Sequence, residues 1–215
     1  MIISPGRNYI FVHIPKTGGT SLALALEGRA MADDILIGDT PKALRRRGRI
    51  KGIKSAGRLW KHSTLADIDG LVPPDDIRRA FTFTLVRNPW DRVVSYYHWL
   101  REQSFDHPAV VLAKARDFSG FLNAPDTIAA LRAEPYAHHM TGCDGQEQCD
   151  AYLRLEQFDT DARVLWDHLG FALELPWINR SARTKPYVDY YSDADRSLVA
   201  DISAVDIGRF GYRFG

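Results

Sequence analysis

FVHIPKTGGTS, from Phe11 to Ser21, is the stretch whose reading decides the fold. An apolar run from Tyr9 to Ile14 ends at Pro15. Lys16, Thr17, two adjacent glycines and two further hydroxyl residues follow, and then the apolar segment LALAL. This succession predicts a strand over about Tyr9 to Ile14, a tight loop, and a helix from about Thr20 to Gly28. Glycines reach backbone conformations closed to other residues, so the N–H groups of Gly18 and Gly19 can turn inward around an anion. The helix adds unpaired N–H donors and the positive end of its dipole at the same place. Lys16 brings a full charge on a flexible stem, and Thr17, Thr20 and Ser21 bring hydroxyls. The expected ligand group is a phosphate or a sulfate; the alternative is an ordinary strand-to-helix turn with a solvated lysine. A Walker A loop, G-x-x-x-x-G-K-[ST], places its lysine after the last glycine, whereas Lys16 precedes both, which disfavours a Mg-dependent NTPase.

The chain of 215 residues is read as a single domain, residues 1–215, large enough to bury a core without staples. Its 45% hydrophobic and 26% charged residues are those of an ordinary globular protein. No run approaches the roughly 18 apolar residues that span a bilayer, and MIISPGRNYIF lacks the parts of a signal peptide. A cytoplasmic location is the expectation. Cys143 and Cys149 are read as free thiols in a surface loop, and with His138 and His139 they lack the spacing of a zinc site, so no metal is expected. Nine basic residues and no acidic one lie between Lys42 and Lys61, in a chain of net charge +1, so the remainder is acidic. Such a segment can steer an anionic partner or form a solvated loop. Trp60 is its one aromatic, which argues against nucleic acid.

FTFTLV, Phe81 to Val86, reads as a buried strand. It runs into RNPWDRVVSYYHWLRE, a helix with Asn88 as cap, Pro89 at its first position and Asp91 as a capping-box acid. HSTLADIDGLVPPDD reads as a short helix and turn, Ala151 to Leu155 as a third strand, Asp161 to Leu169 as a helix stopped by Gly170, and the last helix as Ser192 to about Ile207. The basic stretch is expected to be the least regular part. Strand–loop–helix units predict a three-layer α/β/α sandwich with a central parallel sheet and ligands at the carboxyl ends of its strands. Arg87 stands at such an end, and Ser95 projects from the helix two turns on. A guanidinium and a hydroxyl so placed could hold a second phosphate, or Arg87 could simply pair with Asp91.

FVHIPKTGGTSL followed about seventy residues later by FTFTLVRNPWDRVVSYYHWL resembles the sulfotransferase family. The IPKTGGTS wording resembles its carbohydrate branch, that of the uronyl 2-O and chondroitin/dermatan 4-O enzymes. KHSTLADI, YLRLEQFDTDARVLWDHLG and the block from INRSARTKPYVDYY to GRFGYRF are similar to further segments of that branch. The poorest match is the basic stretch and the loop from about Phe105 to Gln148. The resemblance implies a P-loop-like sulfotransferase fold that binds 3′-phosphoadenosine 5′-phosphosulfate (PAPS). The loop Lys16, Thr17, Gly18, Gly19, Thr20 and Ser21 would take the 5′-phosphosulfate, and Arg87 and Ser95 the 3′-phosphate. The C-terminal loop that carries Asn179, Ser181, Arg183 and Lys185 would close over the nucleotide, with Arg183 or Lys185 reaching the 3′-phosphate.

Sulfuryl transfer needs positioning and stabilisation of a departing phosphate oxygen, for which Lys16 is suited, and no metal. A base must accept the acceptor proton; the resemblance places it at His62, with His98 a weaker competitor. His13, in the strand before the loop, is read as packing against or orienting the loop. The function expected is transfer of a sulfuryl group from PAPS to a hydroxyl of a carbohydrate-like acceptor, neutral or anionic, by a soluble, bacterial-type enzyme. The competing readings are a P-loop-like nucleotide kinase or NTPase and a non-catalytic module that binds an anionic polymer.

Overall fold

The computed structural model describes residues 1–176, 183 and 185–215. In chain order its strands and helices are β1 (Ile2–Ser4), β2 (Tyr9–Val12), α1 (Gly19–Gly28), β3 (Ile35–Leu36), α2 (Pro41–Arg46), α3 (Pro74–Arg79), β4 (Phe81–Val86), α4 (Pro89–Arg101), α5 (Pro108–Ala115), α6 (Phe118–Leu122), α7 (Pro125–Ala133), α8 (Tyr136–His139), β5 (Ala151–Arg154), α9 (Phe158–Asp161), α10 (Arg163–Leu169), α11 (Asp193–Ile202) and α12 (Ala204–Phe210). They gather into two compact units, Met1–Val86 with Tyr136–Ile178, and Arg87–Pro135 with Asn179–Gly215. The architecture is mixed α/β.

The first unit holds a five-stranded sheet in the order β3-β1-β2-β4-β5. β2, β4 and β5 run parallel, with Phe11 opposite Phe83 and Phe83 opposite Ala151. The sheet is mixed, however, not parallel throughout as the sequence suggested. β1 pairs antiparallel with β2, and β3 antiparallel with β1. The link between β1 and β2 is four residues long, closed by the Asn8 N–H donating to the Pro5 carbonyl at 3.1 Å. A link so short joins only antiparallel neighbours.

Side chains alternate across β2. Tyr9 and Phe11 pack in one apolar cluster with Leu22, Leu26, Phe83, Leu85 and Leu165. Ile10 and Val12 pack in another with Leu65, Ile68, Ile77 and Met140. Both faces of the sheet are therefore covered, and each large apolar side chain removed from water contributes roughly 1.5–3 kcal/mol. On β4 the alternate positions Thr82 and Thr84 are buried hydroxyls; Thr84 Oγ1 donates to the Val12 carbonyl at 2.7 Å. α1 buries Leu22, Ala23 and Leu26, positions three and four apart that share one helical face.

The basic stretch is more regular than its sequence suggested. Thr40 caps α2 by accepting from the Ala43 N–H, and four of the nine cations are anchored on neighbouring segments. Lys42 donates to the Glu27 carbonyl, Arg46 to the carbonyls of Met31 and Asp34, Arg49 to that of Asp34, and Lys61 pairs with Asp39 at 2.6 Å. Guanidinium and ammonium donors satisfy carbonyls at the ends of α1 and β3, a long-range order that no local pattern carries.

In the second unit α4 begins as read, Asn88 accepting from the Trp90 N–H at 3.1 Å with Pro89 in the first turn. Asp91 does not close a capping box; it turns instead to two arginines. Most of the segment Phe105 to Gln148, read as a loop, is helical. α5 and α6 start on side-chain caps, His107 accepting from the Ala109 N–H and Asp117 from the Gly120 N–H, and Pro108 and Pro125 begin α5 and α7. Their apolar residues Val110, Ala113, Phe118 and Phe121 cluster with Val93, Val94 and Tyr97 of α4. The last helix is two, α11 and α12, meeting at Ser203. Ser192 caps α11 in a capping box with Asp195, a residue 2% exposed that also accepts from Ser119 Oγ at 3.0 Å and Asn123 Nδ2 at 2.7 Å. Asp195→Ala should therefore cost about 2–3 kcal/mol in urea unfolding, against about 1 kcal/mol for Ser192→Ala, because it orphans donors from α6 as well as the cap.

Candidate functional site

The loop after β2 adopts the conformation its glycines anticipated, with one addition. Gly18 lies in the left-handed region at φ 88°, and so does Lys16 at φ 65°. A lysine there costs roughly 1–2 kcal/mol of steric strain. Gly18 is the N-cap of α1, whose first turn holds no acidic residue, so the N–H donors and dipole at this end meet no carboxylate from their own turn. Thr17 is fully buried and its hydroxyl donates to the Ile14 carbonyl at 2.9 Å. Its single hydroxyl proton thus closes the loop, which leaves Thr17 only its N–H for an anion. Thr20 and Ser21 are half-buried in the first turn of α1.

Gly19 is needed for a different reason. A Cβ there would lie 2.2 Å from Cδ2 and 2.6 Å from Nε2 of His13. The imidazole of His13, 7% exposed, fills the space the missing side chain leaves. It also packs edge-on against His62, ring centroids 4.6 Å apart at 69°. The loop, His13 and His62 thus form one packed group within the first unit.

His62 Nδ1 lies 2.7 Å from the His13 backbone carbonyl. A carbonyl only accepts, so Nδ1 carries the hydrogen and Nε2 of the neutral ring keeps its lone pair. Burial lowers the His62 pKa from 6.5 to about 4, opposed by that hydrogen bond and assisted by the Lys61 charge. His13 is pushed well below its ordinary value, chiefly by burial. His62 is therefore neutral near pH 7, in the tautomer a general base needs. His98, on α4 in the second unit, is also shifted down by burial.

The second unit carries a separate cluster. Arg87, the residue after β4, donates from Nε and a terminal nitrogen to Asp91 Oδ2 at 2.9 and 2.6 Å. Arg183 donates to the other oxygen, Oδ1, of the same carboxylate. The three side chains are 12, 14 and 23% exposed for Arg87, Asp91 and Arg183. Sequence reasoning offered the Arg87–Asp91 pair, whose i,i+4 spacing predicts it, and by resemblance brought Arg183 or Lys185 to the same place, but it did not offer Asp91 as the partner of Arg183. Ser95 is buried on α4 at 6% exposure. Ser181 and Asn179 lie outside the described residues. Cys143 and Cys149 are free thiols, and no group of three or more metal-ligating side chains occurs among the described residues. Among the described residues, no helix is long and apolar enough to cross a membrane.

The sequence model of the Sulfotransferase family matches residues 1–172, most of the chain and all of both clusters except Arg183. The chain belongs to the sulfotransferase family. No curated protein sequence matches it. Among solved structures, a crystal structure of a mouse sulfotransferase complexed with PAP is similar at 14% identity, covering 97% of this chain and 88% of that one with a TM-score of 0.47.

Two expected outcomes follow from the histidine pair. Stability should be full above pH 6.5 and fall as pH drops toward 4, because the unfolded chain takes up protons that folded His13 and His62 refuse. Each contributes up to about 1.4 kcal/mol per pH unit to that slope, and urea titrations should show His62→Gln reducing it. Gly19→Ala should destabilise by about 1–3 kcal/mol through the clash with His13. Adding His13→Ala should recover part of that loss, a coupling that a double-mutant cycle measures directly.

Proposed function

We propose that this member of the sulfotransferase family moves a sulfuryl group from PAPS to a hydroxyl of a carbohydrate-like acceptor. The α/β/α layering and P-loop-like loop expected from sequence belong to this proposal. The reading rests above all on one observation, a histidine held by a carbonyl with its lone pair at Nε2, packed through His13 on a loop shaped for an anion.

In the proposed reaction the backbone N–H groups of Thr17 to Thr20, with Ser21, hold the 5′-phosphosulfate. His62 Nε2 accepts the acceptor hydroxyl proton as the acceptor oxygen forms its bond to sulfur. The bond between sulfur and the bridging oxygen breaks, and that oxygen leaves as a phosphate oxygen of adenosine 3′,5′-bisphosphate, its charge met by Lys16. The products are a sulfate ester, the bisphosphate and a protonated His62, which returns its proton to water. Arg87, Ser95 and Arg183 hold the 3′-phosphate, the group that distinguishes this donor from ATP, with Ser181 assigned to the same role from sequence. Asp91 then acts as the resident counter-ion that keeps two guanidiniums side by side before the phosphate arrives.

Calorimetric titration tests this reading. Adenosine 3′,5′-bisphosphate should bind without Mg, with affinity reduced about tenfold or more by Arg87→Ala. A preference for ADP with Mg would overturn it. Lys16→Gly should separate strain from chemistry: it should raise stability by about 1 kcal/mol by removing the left-handed side chain, and abolish sulfuryl transfer.

A further inference from the structure

Trp60 and Arg58 stand directly before His62, and neither has a place in the donor chemistry. Trp60 is 43% exposed, a large apolar surface for a side chain outside any core cluster. Its ring meets that of His62 at 5.0 Å and 84°, and the Arg58 guanidinium lies 5.6 Å from the indole centroid.

The segment that presents them is held firmly. The Trp60 N–H donates to Ser63 Oγ at 2.9 Å, and that oxygen lies 2.9 Å from the carbonyls of both Arg58 and Trp60. Ser63 is completely buried, and Lys61 is tied to Asp39. An exposed indole on a pinned backbone loses little freedom when it receives a ligand ring. Leu59, next in sequence, lines a surface groove of about 520 Å³ with Arg47, Gly48, Ile50 and Lys51.

Charge adds the second half of the argument. Of the nine cations between Lys42 and Lys61, four are anchored on carbonyls or on Asp39, as described above. Arg45, Arg47, Lys51, Lys54 and Arg58 are exposed, in a stretch without one acidic residue. The segment that leads to the base therefore combines an exposed aromatic plate, a neighbouring groove and a preponderance of exposed positive charge.

We propose that Trp60 and Arg58 form the acceptor subsite. Trp60 stacks on the apolar face of a sugar ring, and Arg58, with the cations of the groove, pairs with an anionic substituent on that ring or its neighbour. The inference rests on His62 being the base of the proposed reaction. It makes the acceptor an anionic glycan, and it makes Trp60 a specificity-determining residue.

The test titrates the wild-type chain and three variants with a hexasaccharide of alternating glucuronate and N-acetylhexosamine, with uncharged N-acetylchitohexaose as its counterpart. Adenosine 3′,5′-bisphosphate is titrated in parallel. Wild type should bind the charged probe more tightly than the uncharged one. Trp60→Ala should weaken both by about tenfold or more, Trp60→Phe should recover most of that loss, and Arg58→Gln should narrow the difference between the two probes. Bisphosphate affinity should be the same in all four proteins. Unchanged glycan binding in Trp60→Ala overturns the inference, as does absence of binding of the charged probe to wild type at about 10 mM. A preference for a single-stranded oligonucleotide overturns it as well. Failure of the bisphosphate to bind wild type would instead overturn the donor reading and leave the subsite to be judged on the glycan titrations.

Discussion

The space that Gly19 leaves empty organises the first unit's functional group. A methyl group at that position would lie 2.2 Å from the His13 ring, so the imidazole and the start of α1 can share that volume only because residue 19 has no side chain. Once His13 is seated there, its own carbonyl fixes the tautomer of His62 and its ring supports the His62 ring. Packing density thus sets a protonation state: close-packed interiors transmit position with little slack. The adjacent glycines divide the work. Gly18 supplies a left-handed turn at φ 88°, and Gly19 supplies vacancy.

Charge organises the second unit. Two guanidiniums placed together repel, and without a partner they would splay into solvent. One carboxylate, Asp91, uses both oxygens to hold Arg87 and Arg183. Two guanidiniums against one carboxylate leave these three side chains with an excess of positive charge, and the hydrogen bonds to Asp91 order their donors. Arg183 also brings the C-terminal segment onto α4 through the same carboxylate.

What the sequence made legible follows from range. The strand–loop–helix around Lys16, the strand Phe81–Val86 and the capped helix after it are all encoded within a few residues, and each is found at or within two residues of its expected bounds. The mixed sheet was missed because the three-residue strand Ile2–Ser4 and the two-residue edge strand Ile35–Leu36 beside it are too short to show periodicity. The helices after Phe105 were missed because α5, α6 and α7 are short and bury few residues each, leaving little apolar pattern to read. At the site, His62 and Arg87 could be singled out as residue types at motif positions, and Arg183 through its place in the C-terminal block. The bonds between His62 and His13, and between Arg183 and Asp91, span 49 and 92 residues and carry no local signal.

Lys16 shows how stability and chemistry part at such a site. Glycine or asparagine would occupy φ 65° more cheaply, and its neighbour Thr17 already closes the loop by bonding the Ile14 carbonyl. The backbone carries the strain of having a lysine at that position. In the proposed reaction the Lys16 ammonium works beside a helix N-terminus whose first turn holds no acidic residue. That position is unfavourable for an isolated cation, since the helix dipole there is also positive. An anion bound between them would be attracted by both, and in the proposed reaction that attraction offsets the backbone strain of Lys16.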